Sequence, residues 1–132
     1  MLLTRATEYA LLSLDNIRKS DKPIGAEQLA NELNIPKSFL AKILQSLAKQ
    51  GILESKKGAH GGFVLAQDID EITINSIILA AEGKAPAVFD CVSYSDTCPH
   101  GAIGTCAISP FLANFQTKID DFLNGLTLGD IL

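Results

Sequence analysis

The chain has 132 residues and a formal net charge of −4, and 47% of its residues are hydrophobic. This length supports one compact core that buries roughly two-thirds of the surface of the unfolded chain. No apolar run approaches the roughly 20 residues of a membrane-spanning helix, and the first residues lack the basic-then-apolar layout of a secretion signal. We therefore expect a cytoplasmic protein with no membrane partner, whose cysteines stay reduced.

The two halves of the chain differ in charge. Residues 1–66 contain nine Lys and Arg against six Asp and Glu, a net charge of +3. Residues 67–132 contain two Lys against nine acids, a net charge of −7. This asymmetry indicates a module that binds a polyanion, joined to a part that stays away from it.

Three helices are predicted in the basic half. Residues 5–18 have apolar residues at helical spacing, the segment DKPIG interrupts the pattern, and the short helix AEQLANEL follows. A third helix extends from about Pro36 to Gly51, because Pro suits a first turn and Gly suits the residue after a helix end. One face of this helix is apolar. The opposite face is either a solvated surface or a surface that contacts DNA, and it consists of Lys37, Ser38, Ala41, Lys42, Gln45 and Lys49.

A β-hairpin is predicted at about 52–66, where Gly58, Gly61 and Gly62 permit the positive φ angles of a tight or bulged turn. Two helices joined by a short turn and followed by a basic hairpin are typical of a winged helix-turn-helix, which places its second helix in the major groove of double-stranded DNA. Phe39 either covers the sugar–phosphate edge or is buried with Leu40. The candidate DNA contacts are Lys37, Ser38, Phe39, Lys42 and Gln45 on the helix, and Lys56, Lys57, His60 and Gly61 on the wing.

The acidic half predicts a fourth helix at about 73–82, a loop at 84–108 and a long helix that Ser109 caps. Thr127 and Asp130 resemble a capping box that opens a terminal turn. An apolar stripe along the long helix follows a loop too polar to cover it, so we expect it to pack against a second copy of the chain. The stripe consists of Phe111, Phe115, Ile119, Phe122 and Leu126.

The expected fold is mainly α, with a small β-hairpin wing. It comprises a winged helix-turn-helix domain at 1–83, a cysteine segment at 84–108, and a dimerisation helix with a C-terminal turn at 109–132. No Ser-His-Asp set, phosphate-binding glycine loop or pair of carboxylates in a cleft is apparent, so neither an enzyme nor a small-molecule substrate is expected.

All three cysteines, Cys91, Cys98 and Cys106, lie within 16 residues of the predicted loop. Clustering in a polar loop favours metal binding over cysteines that merely pack. Three thiolates leave one of the usual four positions open, in zinc sites and in iron–sulfur clusters alike. His100 would complete a zinc site of three cysteines and one histidine; its alternative is an ordinary solvent-exposed loop residue.

Six segments resemble the Rrf2 family of bacterial winged-helix transcription regulators, in its IscR-, NsrR- and RirA-like, cluster-bearing branch. They are MLLTRATEYALLSL, IPKSFLAKILQSLAKQGILES, the wing KGAHGGFVLA, ITINSIILAAEG, the three-cysteine loop and TLGDIL. The resemblance covers essentially the whole chain. It implies a homodimer that binds a palindromic operator, and an iron–sulfur cluster, held by the three cysteines, whose state sets the affinity for DNA.

The cysteine spacing departs from the commoner family pattern, since six and seven residues separate successive cysteines here. Ser109 stands where IscR-like members have a ligand histidine. NsrR-like members use a carboxylate from the first helix of the partner subunit, which the resemblance places at Glu8; alternatively, Glu8 is exposed and pairs with Arg5. The longer second gap resembles that of a redox-sensing relative and favours a 2Fe–2S cluster over a 4Fe–4S cluster.

The sequence therefore predicts a dimeric DNA-binding regulator, of the repressor kind, whose operator affinity responds to redox state, nitric oxide or iron through its cluster. The alternative is a zinc-stabilised or metal-free winged-helix regulator or interaction module that senses nothing through a cluster.

Overall fold

The structure is a computed structural model that describes residues 3–88 and 106–132. Its elements in chain order are α1 (Arg5–Lys19), α2 (Ala26–Leu33), α3 (Lys37–Lys49), β1 (Leu53–Lys56), β2 (Gly62–Leu65), α4 (Ile74–Glu82), α5 (Ser109–Gly125) and α6 (Leu128–Ile131). The predicted fold class, mainly α with a small hairpin, is confirmed. Within the described ranges no helix is both long and apolar enough to cross a membrane.

The core lies where α1, α3 and α4 meet, and these three helices contact one another pairwise. Each contributes fully buried apolar side chains at helical spacing, such as Leu14 on α1, Leu44 on α3 and Ile77 on α4. Burying one side chain of this size stabilises the fold by about 1.5–3 kcal/mol, so the apolar face of α3 fixes its opposite face toward solvent.

The helix ends follow local chemistry, with two corrections. Thr73 caps α4 by accepting a hydrogen bond from the Ser76 amide, at 3.1 Å. The predicted cap at Ser109 is wrong, because Ser109 is already the first residue of α5 and its amide donates to the Cys106 carbonyl, at 3.2 Å. Pro36 likewise stands one position before the helix, as the N-cap of α3.

The wing is a two-stranded antiparallel hairpin that pairs Leu53 with Leu65 and Lys56 with Gly62. Phe63 exchanges two main-chain hydrogen bonds with Ile24, at 2.8 and 3.2 Å, so the α1–α2 linker holds the wing against the helices. Gly62 has a φ of +147°, and an added Cβ would lie 2.4 Å from the Ile24 carbonyl carbon. Only glycine permits this approach.

Gly58 also has a positive φ, as predicted, but Gly61 does not. Gly61 is required for another reason: a Cβ there would lie 2.3 Å from the main-chain oxygen of Lys56. Gly61 thus allows the tight turn at the wing tip, and Gly62 allows the wing to dock against Ile24.

The C-terminal helices return to the winged domain. The amide of Leu128 donates to the Ile72 carbonyl, at 2.8 Å, and Leu128 is fully buried. On α5, the buried Gln116 accepts a hydrogen bond from the Val88 amide and donates to the Pro86 carbonyl, each at 2.9 Å. Gln116 therefore holds the start of the cysteine segment against α5.

Candidate nucleic-acid interface and cysteine segment

The outer face of α3 is basic and open to solvent. The sequence of α3, KSFLAKILQSLAK, contains three lysines and no acid. The five predicted contacts on α3 are all exposed: Lys37, Ser38, Phe39, Lys42 and Gln45. Lys37 makes one ion pair, with Glu27 at 3.3 Å, and both side chains are mostly exposed. Such a surface pair contributes at most about 1 kcal/mol, so a phosphate can replace the carboxylate.

Phe39 is not buried with Leu40, and that alternative is wrong. Leu40 is fully buried, whereas Phe39 is 42% exposed. Its ring meets Tyr9 of α1 edge-on, with centroids 5.6 Å apart. The aromatic pair connects the first turn of α3 to α1. A displacement of α1 would therefore also move the helix that carries the predicted contacts.

The wing tip presents Lys56, Lys57 and His60, all exposed. Lys56 pairs with Glu54 on the same strand, at 2.9 Å. His60 lines a groove together with Lys22 of the α1–α2 linker. Lys22 was not among the predicted contacts, although the sequence places this basic residue beside the Pro23 break and just before the start of α2, where helix amides attract anions.

The cysteine segment is described only at its two ends, 84–88 and 106–108. Cys106 is half-buried ahead of α5, while Cys91, Cys98 and His100 lie outside the described residues. Within the part of the chain that the structure describes, no three His, Cys, Asp or Glu side chains are grouped as metal ligands.

Glu8 is exposed on α1 and pairs with Arg5, at 2.7 Å, as the alternative for this residue stated. Its ion pair lies at the surface and is weak, so Glu8 is available to another partner. It lines an open apolar groove together with Leu3, Leu11 and Leu12.

Glu82, the last residue of α4, forms a network that the sequence analysis missed. One carboxylate oxygen accepts hydrogen bonds from the Thr7 hydroxyl at 2.7 Å, from the Thr4 amide at 3.3 Å and from the Thr4 hydroxyl. Burial raises the pKa of Glu82, but the hydrogen bonds from Thr4 and Thr7 outweigh it, and the pKa lies below its usual value. This stabilisation is present at neutral pH and is lost as the pH falls through the lowered pKa.

The predicted apolar stripe on α5 is divided between two faces. Ile119 and Leu126 pack against the core. Phe111 and Phe122 are each 62% exposed, and Phe115 is 37% exposed. The buried positions of α5 are occupied by Leu112, Gln116 and Leu123, which are not part of the predicted stripe. The exposed side forms an aromatic face that consists of Ile108, Phe111, Phe115 and Phe122.

Comparison with known proteins identifies the chain. A sequence model of Rrf2, described as an iron-dependent transcriptional regulator, matches residues 3–132. The chain belongs to the Rrf2 family. It is 32% identical to a provisionally named HTH-type transcriptional regulator of Aquifex aeolicus, over all of this chain and 92% of that protein. It is 28% identical to the HTH-type transcriptional repressor NsrR of Streptomyces coelicolor, over all of this chain and 88% of that one.

A solved structure agrees with this assignment. The crystal structure of a provisionally named transcriptional regulator from Listeria innocua superimposes with a TM-score of 0.75 and 28% identity, over 97% of this chain and 83% of that one. The protein is thus an Rrf2 transcription regulator that binds DNA, and its family is not one of enzymes.

For an Rrf2 regulator with this surface, we expect substitutions on the wing to change overall DNA affinity and substitutions on α3 to change sequence preference. Lys57→Ala should weaken binding to every duplex and lower the salt dependence by about one counterion, because Lys57 would contact phosphate. Gln45→Ala should reduce the preference for the operator over other sequences by about 1–3 kcal/mol, because an amide reads a base edge. Titration of operator and random duplexes at several salt concentrations measures both effects.

Lys84→Ala is the matched control, since Lys84 is an exposed lysine beyond α4. Lys84→Ala should change neither the salt dependence of binding nor the preference for the operator. An equal loss on all duplexes for Lys57→Ala and Gln45→Ala would contradict the assignment of helix and wing.

Proposed function

We propose that this Rrf2 regulator is a homodimeric repressor that binds a palindromic operator with an affinity set by an iron–sulfur cluster. The observation that carries the proposal is the place of the cysteines. They fall in one segment that follows α4 and ends just before α5, where Cys106 lies. A group held there is connected both to the winged domain and to the helix with the exposed aromatic face.

The donor set fits such a group. Cys91, Cys98 and Cys106 supply three thiolates, the usual protein ligands of iron–sulfur clusters. We assign the fourth position to Glu8 of the partner subunit, because its carboxylate is exposed and its present ion pair is weak. A bound cluster, which we take as 2Fe–2S rather than 4Fe–4S, supplies a centre that reacts with oxidant or nitric oxide. Oxygen is a harder donor than sulfur, so Glu8 would be the first of the four residues to release it.

Two exposed apolar surfaces support the dimer. The aromatic face of α5 and the leucine groove around Glu8 both present side chains that monomers usually bury or keep scattered. If the second copy covers both surfaces, Glu8 comes to lie within the interface, beside the segment that carries the cysteines. Loss of Glu8 from the cluster would then release α1, which Tyr9 and Phe39 connect to α3.

Metal content tests the proposal. Protein purified without oxygen should be coloured and contain iron and acid-labile sulfide in equal amounts, and Cys98→Ser should lose both. His100→Ala is the control, and it should keep both because His100 is not a ligand in this arrangement. Colourless protein that contains zinc, lost in His100→Ala as well as in Cys98→Ser, would contradict the proposal and support the zinc-stabilised alternative.

A further inference from the structure

The N-terminal turn of α1 is fastened to the end of α4 through one carboxylate. Glu82 accepts three hydrogen bonds on one oxygen, from the amide and hydroxyl of Thr4 and from the hydroxyl of Thr7. Thr7 is only 1% exposed, so its hydroxyl has no access to bulk water. A buried hydroxyl without a partner is costly, and the Thr7 hydroxyl donates to Glu82.

Glu82 also completes the cap of α1. Thr4 is the N-cap residue, and its hydroxyl oxygen accepts from the Ala6 amide, at 3.2 Å, while the same hydroxyl donates to Glu82. A carboxylate at this position is favoured by the partial positive charge of the helix start. The conformation of the first turn of α1 therefore depends on a residue from another helix.

The position of Glu82 in the chain connects two regions. On one side, Gly83 follows with a φ of +77° and ends α4, and the cysteine segment begins directly after it. On the other side, the turn that Glu82 holds carries Glu8, and Tyr9 comes next and contacts Phe39 of α3. Continuous contacts thus extend from the base of the cysteine segment to the first turn of the helix predicted to read DNA.

We propose that Glu82 is a positioning residue for regulation: it transmits the state of the cysteine segment to α3 by holding or releasing the first turn of α1. The proposal rests on the proposed function, because it assumes a group on the cysteines whose state differs between two forms. Glu82 itself need not touch that group. Its contribution is the connection between α4 and α1, which gives α1 two arrangements with different affinities for DNA.

Two substitutions weaken this connection with little change in volume. Glu82→Gln removes the charge, and Thr7→Val removes the buried donor and keeps the shape of the side chain. In both we expect the operator affinity of the protein with bound cluster to approach that of the protein without it. The affinity of the cluster-free protein should stay within about twofold of wild type, because no predicted DNA contact is touched. Thr7→Ser keeps the hydroxyl and should retain the wild-type ratio, and Glu71→Gln, an exposed glutamate outside the network, should do so too.

Hydrogen exchange gives a second readout that needs no cofactor. In Glu82→Gln and Thr7→Val, exchange of the amides of the first turn of α1 should accelerate by about tenfold or more, while the amides of α3 stay protected. Loss of DNA affinity by the same factor in both forms, with normal exchange in α1, would show that Glu82 has no positioning role. If wild-type protein contains no cluster, the proposed function fails, and unchanged exchange in α1 would then separately refute the role of Glu82.

Discussion

Phe122→Asp is expected to yield a folded monomer that binds the operator at least about a hundredfold more weakly than wild type. Phe122 lies near the end of the aromatic face and is 62% exposed, so its replacement removes little internal packing. A carboxylate within an apolar dimer contact would be desolvated without a partner, which is strongly unfavourable. A single winged domain reaches only one half-site, and a dimer gains its second contact intramolecularly, a gain of about a hundredfold or more.

Sedimentation velocity and operator titration measure these two consequences together. Ile131→Asp is the matched control, since Ile131 is a large exposed apolar residue on α6 and does not belong to the aromatic face of α5. It should remain dimeric and bind normally. A Phe122→Asp protein that stays dimeric with wild-type affinity would show that α5 does not form the subunit contact.

Glu8→Ala is expected to release iron at least about tenfold faster than wild type on exposure to air or to a chelator. Losing even an outer partner of a metal ligand lowers metal affinity by about 10–100-fold, so losing a ligand should cost at least as much. The expected consequence is an operator affinity that resembles that of cluster-free protein. Iron loss followed by absorbance, with operator titration at each stage, measures both.

Arg5→Gln separates the two explanations of Glu8, because it breaks the ion pair and keeps the carboxylate. If Glu8 is a ligand, Arg5→Gln should retain its iron and its regulation, since a surface ion pair is worth at most about 1 kcal/mol. Equal behaviour of Arg5→Gln and Glu8→Ala would assign Glu8 to the ion pair alone.

The sequence was sufficient for the winged-helix elements because their signals are local. Apolar spacing, Asn34 in a left-handed conformation after α2, and the glycines of the wing all act within a few residues. The sequence did not predict how the wing docks, because the bridge between Ile24 and Phe63 joins segments far apart in the chain. No spacing rule predicts that pair.

The two faces of α5 show why periodicity alone was insufficient. Phe111 begins a series with helical spacing that is apolar throughout, and this series was the predicted stripe; the series that its neighbour Leu112 begins contains Gln116. The structure turns the leucine series inward because Gln116, in the same series, bonds to the main chain at Pro86 and Val88. The Glu82 network escaped detection for a related reason: its partners lie 75 and 78 residues away.

Control of DNA affinity by the cluster is tested most directly by titrating one operator duplex, without oxygen, with the same protein before and after removal of its cluster. Coupling between two sites is typically worth about 1–3 kcal/mol, so the affinities of the two forms should differ by about fivefold or more. The difference should vanish when Cys91, Cys98 and Cys106 are replaced by serine. Equal affinities before and after removal, in a protein whose iron loss has been verified, would contradict this account.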